Sequence, residues 1–134
     1  MSDNPQARLT AWFTARGWRP EAFQLDAWAA YGRGESGLIH SATGSGKSLA
    51  AWGGPLIEGL SEADRGDRRG GLRVLWITPL RALAGDTVNN LAAAAAGVGL
   101  DWRVEKRTGD TGSSARARQR QRPPEALVTT PESL

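Results

Sequence analysis

"IHSATGSGKSLAAW", residues 39–52, decides how the rest of the chain is read. Gly44, Gly46, Lys47 and Ser48 stand at the spacing of the phosphate-cradling pattern G-x-x-x-x-G-K-[ST], with Ser41 in the place of its first glycine. A short apolar run, "GLIHS", precedes the glycines and reads as a buried strand. A helical pattern, "GKSLAAWGGPLIEGL", follows them. A glycine turn between a strand and a helix leaves backbone N–H groups free and points the positive end of the helix at an anion. In such a cradle Lys47 neutralises the outer phosphates of a nucleotide, and the Ser48 hydroxyl takes one magnesium coordination position. Thr43, Gly44, Ser45, Gly46, Lys47 and Ser48 are therefore the predicted phosphate contacts.

The flanking sequence alternates between the two kinds of period. Upstream, "PQARLTAWFTARGW" places Leu9, Trp12, Phe13 and Arg16 at helical spacing, with Gly17 as the stop. Pro20 opens a second helix in which Phe23, Ala27 and Tyr31 share a face, with Gln24 and Trp28 one step round. Downstream, Gly53, Gly54 and Pro55 predict a kink in the helix after the cradle, and "SEADRGDRRGG" reads as a polar loop. "LRVLWIT" is an apolar strand of the kind that parallel sheets bury on both faces. "PLRALAGDTVNNLAAAAAGVG" reads as a helix, "LDWRVEKRT" as a strand, "ARARQRQR" as a short helix, and "PPEALVTTPESL" as a strand leading into a helix start at Pro131. Strand and helix in alternation predict an α/β fold with a doubly wound sheet.

Composition narrows the class. With 134 residues, 40% hydrophobic and 23% charged, the chain is at most one ordinary globular domain. A net charge of +3 permits a nucleic-acid partner without requiring one. The absence of cysteine removes disulfides and thiolate metal sites. No apolar run reaches the roughly 18 residues of a membrane span, and the N-terminus has no hydrophobic signal core, so the expected address is the cytoplasm, with no membrane partner. The arginines at 116, 118, 120 and 122 spread over two helix faces and read as a solvated segment. The lone histidine, His40, reads as a core residue within its strand. Most of the six tryptophans read as core; Trp18, in the loop before Pro20, is the one placed to lie near a base.

A cradle that spells small-x-T-G-x-G-K-S resembles motif I of the superfamily 2 helicases, and the likeness runs on in order. "FQ" (Phe23, Gln24) stands where those helicases carry an adenine-reading glutamine. "TPLRALA" (Thr78 to Ala84) resembles their motif Ia, "RTGDT" (Arg107 to Thr111) their TGD segment, and "TTPESL" (Thr129 to Leu134) their motif Ib. The phrases "RGWRPEAFQLDAW", "LRVLWITPLRALAGDT" and "PPEALVTTPESL" are similar to the large helicase-related group, nearest its bacterial ligase-associated DEXH-box members.

The resemblance implies an N-terminal helical segment with the glutamine motif over 1–35, followed over 36–134 by part of a RecA-like P-loop domain, truncated before the DEXH strand. It implies an ATP-dependent DNA helicase active in DNA repair, with ATP and Mg2+ as cofactors. In it Lys47 is the catalytic cation, Ser48 the metal ligand and Gln24 the adenine contact. Thr78, Arg81, Thr108, Gly109 and Thr130 would grip the backbone of single-stranded DNA at the carboxyl ends of the strands, where open α/β sheets bind ligands. Such contacts read no bases, so RNA is an open alternative, as is a non-motor P-loop protein such as a kinase or a regulatory module. Ligase-associated repair proteins are the implied partners. Hydrolysis needs an acid on the magnesium and a base for the water. No Asp-Glu pair occurs in the chain, so the expected residues alone bind nucleotide without turning it over. The family arrangement also keeps "GLIHS" from pairing with "LRVLWIT", while the "LRVLWIT", "LDWRVEK" and "EALVTT" strands lie together.

Overall fold

Asn4 starts the first helix of the computed structural model: its side chain accepts the Ala7 N–H at 2.7 Å, and Pro5 fills the first helical position of α1 (Pro5–Ala15). The structure describes residues 4–40, 46–67 and 70–134. They divide into two compact units, Met1–Arg68 and Arg69–Leu134.

The first unit is helical. α1, α2 (Ala22–Gly32) and α3 (Lys47–Asp64) pack with α3 against both of the others. Leu9 and Phe13 from α1, Trp28 from α2, and Trp52, Leu56 and Leu60 from α3 form the buried centre. Arg8 pairs with Asp64 at its rim. α2 buries Gln24 and Trp28 and lays Tyr31, 37% exposed, along α3, where its hydroxyl donates to Glu58 at 2.7 Å. The reason lies in α3. A Cβ on Gly53 would sit 2.1 Å from the Trp28 indole nitrogen, and one on Gly54 would sit 2.5 Å from the Tyr31 ring. The two glycines are the groove that admits α2. α3 runs as one helix from Lys47 to Asp64 with Pro55 inside it.

Residues 37–40, the described part of "GLIHS", form no strand, and His40 is exposed. Both expectations for "GLIHS" are therefore corrected. A strand exists only through its neighbours' hydrogen bonds, and residues 37–40 pair with no strand among the described residues.

The second unit is a parallel α/β layer. β1 (Val74–Ile77), α4 (Arg81–Gly97), β2 (Val104–Arg107), α5 (Ser113–Gln121) and β3 (Ala126–Thr129) follow one another, with a single 3-10 turn at Pro131–Ser133. The strand order is β1-β3-β2, all parallel, with Val74 and Val104 both opposite Ala126, and Ile77 and Arg107 both opposite Thr129. The three strands lie together as expected. α4 covers β2 and β3 with its small face, burying Ala84, Leu91, Ala94 and Ala95.

β3, not β1, is the strand buried on both faces. Leu75 and Ile77 of β1 stay 46% and 48% exposed, because β1 is an edge strand of this sheet and its alternate side chains meet no covering layer among the described residues.

Candidate nucleotide site and strand-binding edge

Gly46 opens α3 with φ 94°, a conformation that glycine adopts without the strain a Cβ would bring. α3 has no side-chain cap, so the N–H groups of its first turn keep their capacity to bind an anion. Lys47 and Ser48 lie on that turn; Lys47 is half-buried and Ser48 exposed. Ser41, Thr43, Gly44 and Ser45 lie outside the described residues.

Gln24 reaches this helix start from α2. Its Nε2 donates to the Gly46 carbonyl at 3.1 Å, the same oxygen that accepts the Ala50 N–H at 2.9 Å. Its Oε1 accepts the Glu21 N–H at 2.9 Å, which completes a capping box in which Glu21 is the N-cap of α2. An amide offers two N–H donors and two acceptor lone pairs, and the described residues take one of each. Only 3% of Gln24 is exposed, yet it borders a cavity of about 360 Å³ together with Phe13, Trp18, Arg19, Glu21, Gly46 and Leu49.

Trp18 is the exposed wall of that cavity. Its ring stands edge-on to Trp12 and Phe13, and the Arg16 guanidinium lies 4.9 Å from its centre. These neighbours hold the indole in place while 44% of the residue remains open. A larger cavity, about 460 Å³, lies beside Phe23, Tyr31, Leu38 and His40 and touches none of the described phosphate contacts.

The second unit brings three separate motifs to one edge. Because Ile77, Thr129 and Arg107 are in register, the next residues along the three strands, Thr78, Thr130 and Thr108, stand in a row at the carboxyl ends. All three are buried. The Thr78 N–H donates to the Thr129 carbonyl at 2.9 Å, and the Thr129 hydroxyl donates to the Arg107 carbonyl at 2.6 Å. Thr108 and Thr111 brace a turn between them: the Thr108 N–H donates to the Thr111 hydroxyl at 2.9 Å, and the Thr108 hydroxyl accepts the Asp110 N–H at 3.3 Å. The Thr130 hydroxyl is buried and finds no hydrogen-bond partner among the described residues.

The accessible groups are Arg81, Gly109 and Asp110. The Arg81 guanidinium lies 3.6 Å from the Asp110 carboxylate and passes so close over Gly109 that a Cβ there would be 2.9 Å from it. With both partners more than half exposed, that pair contributes about 0–1 kcal/mol, so it directs the guanidinium without locking it.

Two participants escaped the sequence reading. Glu21 was legible only in part: Gln24 three residues on fits a capping box, but the signature calls for Ser, Thr, Asp or Asn where Glu21 stands. Arg116 was not: it is bound to the Thr108–Thr111 turn, whereas Arg118, Arg120 and Arg122 are solvated as their spacing suggested. Among the described residues no cluster of His, Asp or Glu could hold a metal ion by itself.

Residues 21–134 match the family profile of the DEAD/DEAH box helicases. The chain is 37% identical, over 98% of its length, to a Mycolicibacterium smegmatis protein named Lhr helicase/probable uracil glycosylase, and it spans only 10% of that relative. The structure of Mycobacterium smegmatis helicase Lhr bound to ssDNA and AMP-PNP superposes with a TM-score of 0.75 at 37% identity, covering 98% of this chain and 18% of that one. The DUF1998 helicase MrfA bound to DNA and AMPPNP superposes at 0.76 with 26% identity and the same coverage of 98% and 18%.

Proposed function

The chain belongs to the DEAD/DEAH box helicase family, and on that premise we propose that it supplies the ATP-binding and strand-gripping part of a motor that moves along single-stranded DNA. The observation that carries the nucleotide half is the Gln24 amide: it lines a cavity with Trp18, is tied to Gly46 at the start of α3, and keeps a donor and an acceptor that no described residue takes. Its remaining donor suits adenine N7, and its remaining acceptor suits the adenine N6–H. Trp18 offers a ring face for the base. Gly46, the uncapped first turn of α3 and Lys47 suit a triphosphate, with Thr43, Gly44 and Ser45 completing the cradle. The exposed Ser48 hydroxyl fits a magnesium ligand. Magnesium, when bound there, neutralises phosphate charge.

On the strand edge Arg81 takes a phosphate, and Gly109 gives the backbone room to approach it. Thr78, Thr108 and Thr130 act from below, shaping the edge rather than reaching solvent. Two solved relatives of similar fold are bound to DNA and a nucleotide analogue, which supports the same pair of ligands here. The setting the resemblance implies is bacterial DNA repair, in the cytoplasm, with ligase-associated proteins as partners.

Titration of the chain with a fluorescent ATP analogue and Mg2+ tests the reading. Saturable binding that ATP displaces and GTP does not is the expected result. Equal displacement by both would remove Gln24 and Trp18 as base contacts.

A further inference from the structure

Arg116 is the one cation of its arginine run that the fold uses internally. Its Nη2 donates to the Thr108 carbonyl at 2.7 Å and its Nε to the Thr111 carbonyl at 3.2 Å, so one planar fork spans both ends of the turn that carries Gly109 and Asp110. The helix that presents it is itself fixed. Gln119, buried one turn further along α5, donates to the Lys106 carbonyl at 3.1 Å and to the Glu105 carboxylate at 3.3 Å, which anchors α5 to β2. The turn has its own bonds: the Thr111 N–H donates to the Thr108 carbonyl at 3.0 Å, the Thr108 N–H to the Thr111 hydroxyl at 2.9 Å and the Asp110 N–H to the Thr108 hydroxyl at 3.3 Å. Arg116 adds a second donor to the Thr108 carbonyl and ties it to that of Thr111. Across that turn lies Arg81, passing over Gly109 and directed by Asp110.

We infer that Arg116 is a positioning residue for strand binding: it braces the Thr108–Thr111 turn from within, and the braced turn holds the Arg81 guanidinium where a phosphate can meet it. This rests on the proposed strand-binding role of Arg81. The charge of Arg116 is then spent on two carbonyls and none of it on nucleic acid. That separates two kinds of arginine by a thermodynamic signature. A cation that neutralises a phosphate on a single strand releases counterions and contributes about 0.7 to the slope of log affinity against log salt. A brace contributes nothing to the slope and changes only the fraction of protein in the binding-competent form.

The test measures oligo(dT) binding by the full chain across a salt series for the parent, Arg81→Gln, Arg116→Gln and Arg116→Lys, with amide hydrogen exchange on each. Arg81→Gln is expected to lower the slope by about 0.7. Arg116→Gln should weaken binding about tenfold, as when the competent turn is populated a tenth of the time, with the slope unchanged. Arg116→Lys should behave like Arg116→Gln, because a point charge lacks the fork. Exchange at Thr108, Asp110 and Thr111 should quicken in both Arg116 variants while Val128 in β3 keeps its protection. A slope lowered by Arg116→Gln as much as by Arg81→Gln, or full rescue by lysine, would overturn the brace in favour of a direct phosphate contact. Unchanged exchange in the turn would overturn it as well. If the parent itself fails to bind the oligonucleotide, the strand-binding role of the edge falls with the positioning role, while quickened exchange would still uphold the brace within the fold.

Discussion

Gln24 donates its side-chain amide to the carbonyl of Gly46 over 3.1 Å, and so ties the first turn of α2 to the residue that opens the phosphate-binding helix. One side chain thereby belongs both to a helix cap and to the wall of the base cavity. Gln24→Ala is expected to lower stability by about 1–2 kcal/mol, since the Gly46 carbonyl and the Glu21 N–H each lose a partner. It should also narrow the preference for ATP over GTP. Denaturant unfolding reads the first effect and competition binding the second; retained stability with unchanged base preference would remove both roles.

Lys47→Ala is expected to abolish MgATP binding, because Lys47 is the cation carried by the first turn of α3. Isothermal titration of the variant beside the parent is the check. Parent-like affinity would show that the phosphates bind elsewhere.

The glycines of α3 and α4 should respond to alanine with opposite signs. At Gly53 the new methyl would meet the Trp28 indole at 2.1 Å, and that indole cannot swing away without losing its 2.9 Å bond to the Leu49 carbonyl. Overpacking of that kind costs about 1–3 kcal/mol and outweighs the gain in helix propensity. At Gly85, inside α4, nothing lies within 4 Å of the added Cβ. There the propensity gain of about 1 kcal/mol should appear as added stability. Chemical denaturation of the two variants decides it, and a stabilising Gly53→Ala would contradict the close approach of α2 to α3.

Arg81→Ala is expected to weaken binding of single-stranded DNA by a similar factor for every base composition and to flatten its salt dependence. Fluorescence anisotropy with oligo(dT), oligo(dC) and oligo(dA) at several salt concentrations measures both. A loss confined to one base would mean that the edge reads sequence.

The 134-residue chain alone is expected to bind ATP without hydrolysing it, because no Asp-Glu pair is present to hold the metal and direct the water. Phosphate release with and without DNA is the measurement. Turnover lost in Lys47→Ala would require an acid the sequence reading did not identify.

The amino-acid sequence by itself determined the helix periods, the three strand segments and the family, because each is written in residues close together along the chain. α1, α2, α4 and α5 fall where spacing and stop residues put them, and "RTGDT" and "TTPESL" could be named from their letters. What lies between distant residues was decided only in three dimensions. The inward face of α2 depends on two glycines more than twenty positions away in α3. The row of Thr78, Thr130 and Thr108 exists because β3 inserts between β1 and β2, which also buries the hydroxyls that the motifs alone would have left exposed. The same insertion leaves Leu75 and Ile77 on an edge strand, although their apolar run reads as a buried one. His40 is exposed for a related reason: its segment has strand-like composition, and composition supplies no partner strand. Arg116 looks like its neighbours in the sequence, and only the return of α5 toward the Thr108–Thr111 turn gives it two carbonyls to bind. Periodicity is a property of neighbours along the chain, whereas burial and hydrogen-bond pairing depend on which segments meet, and that is settled by packing.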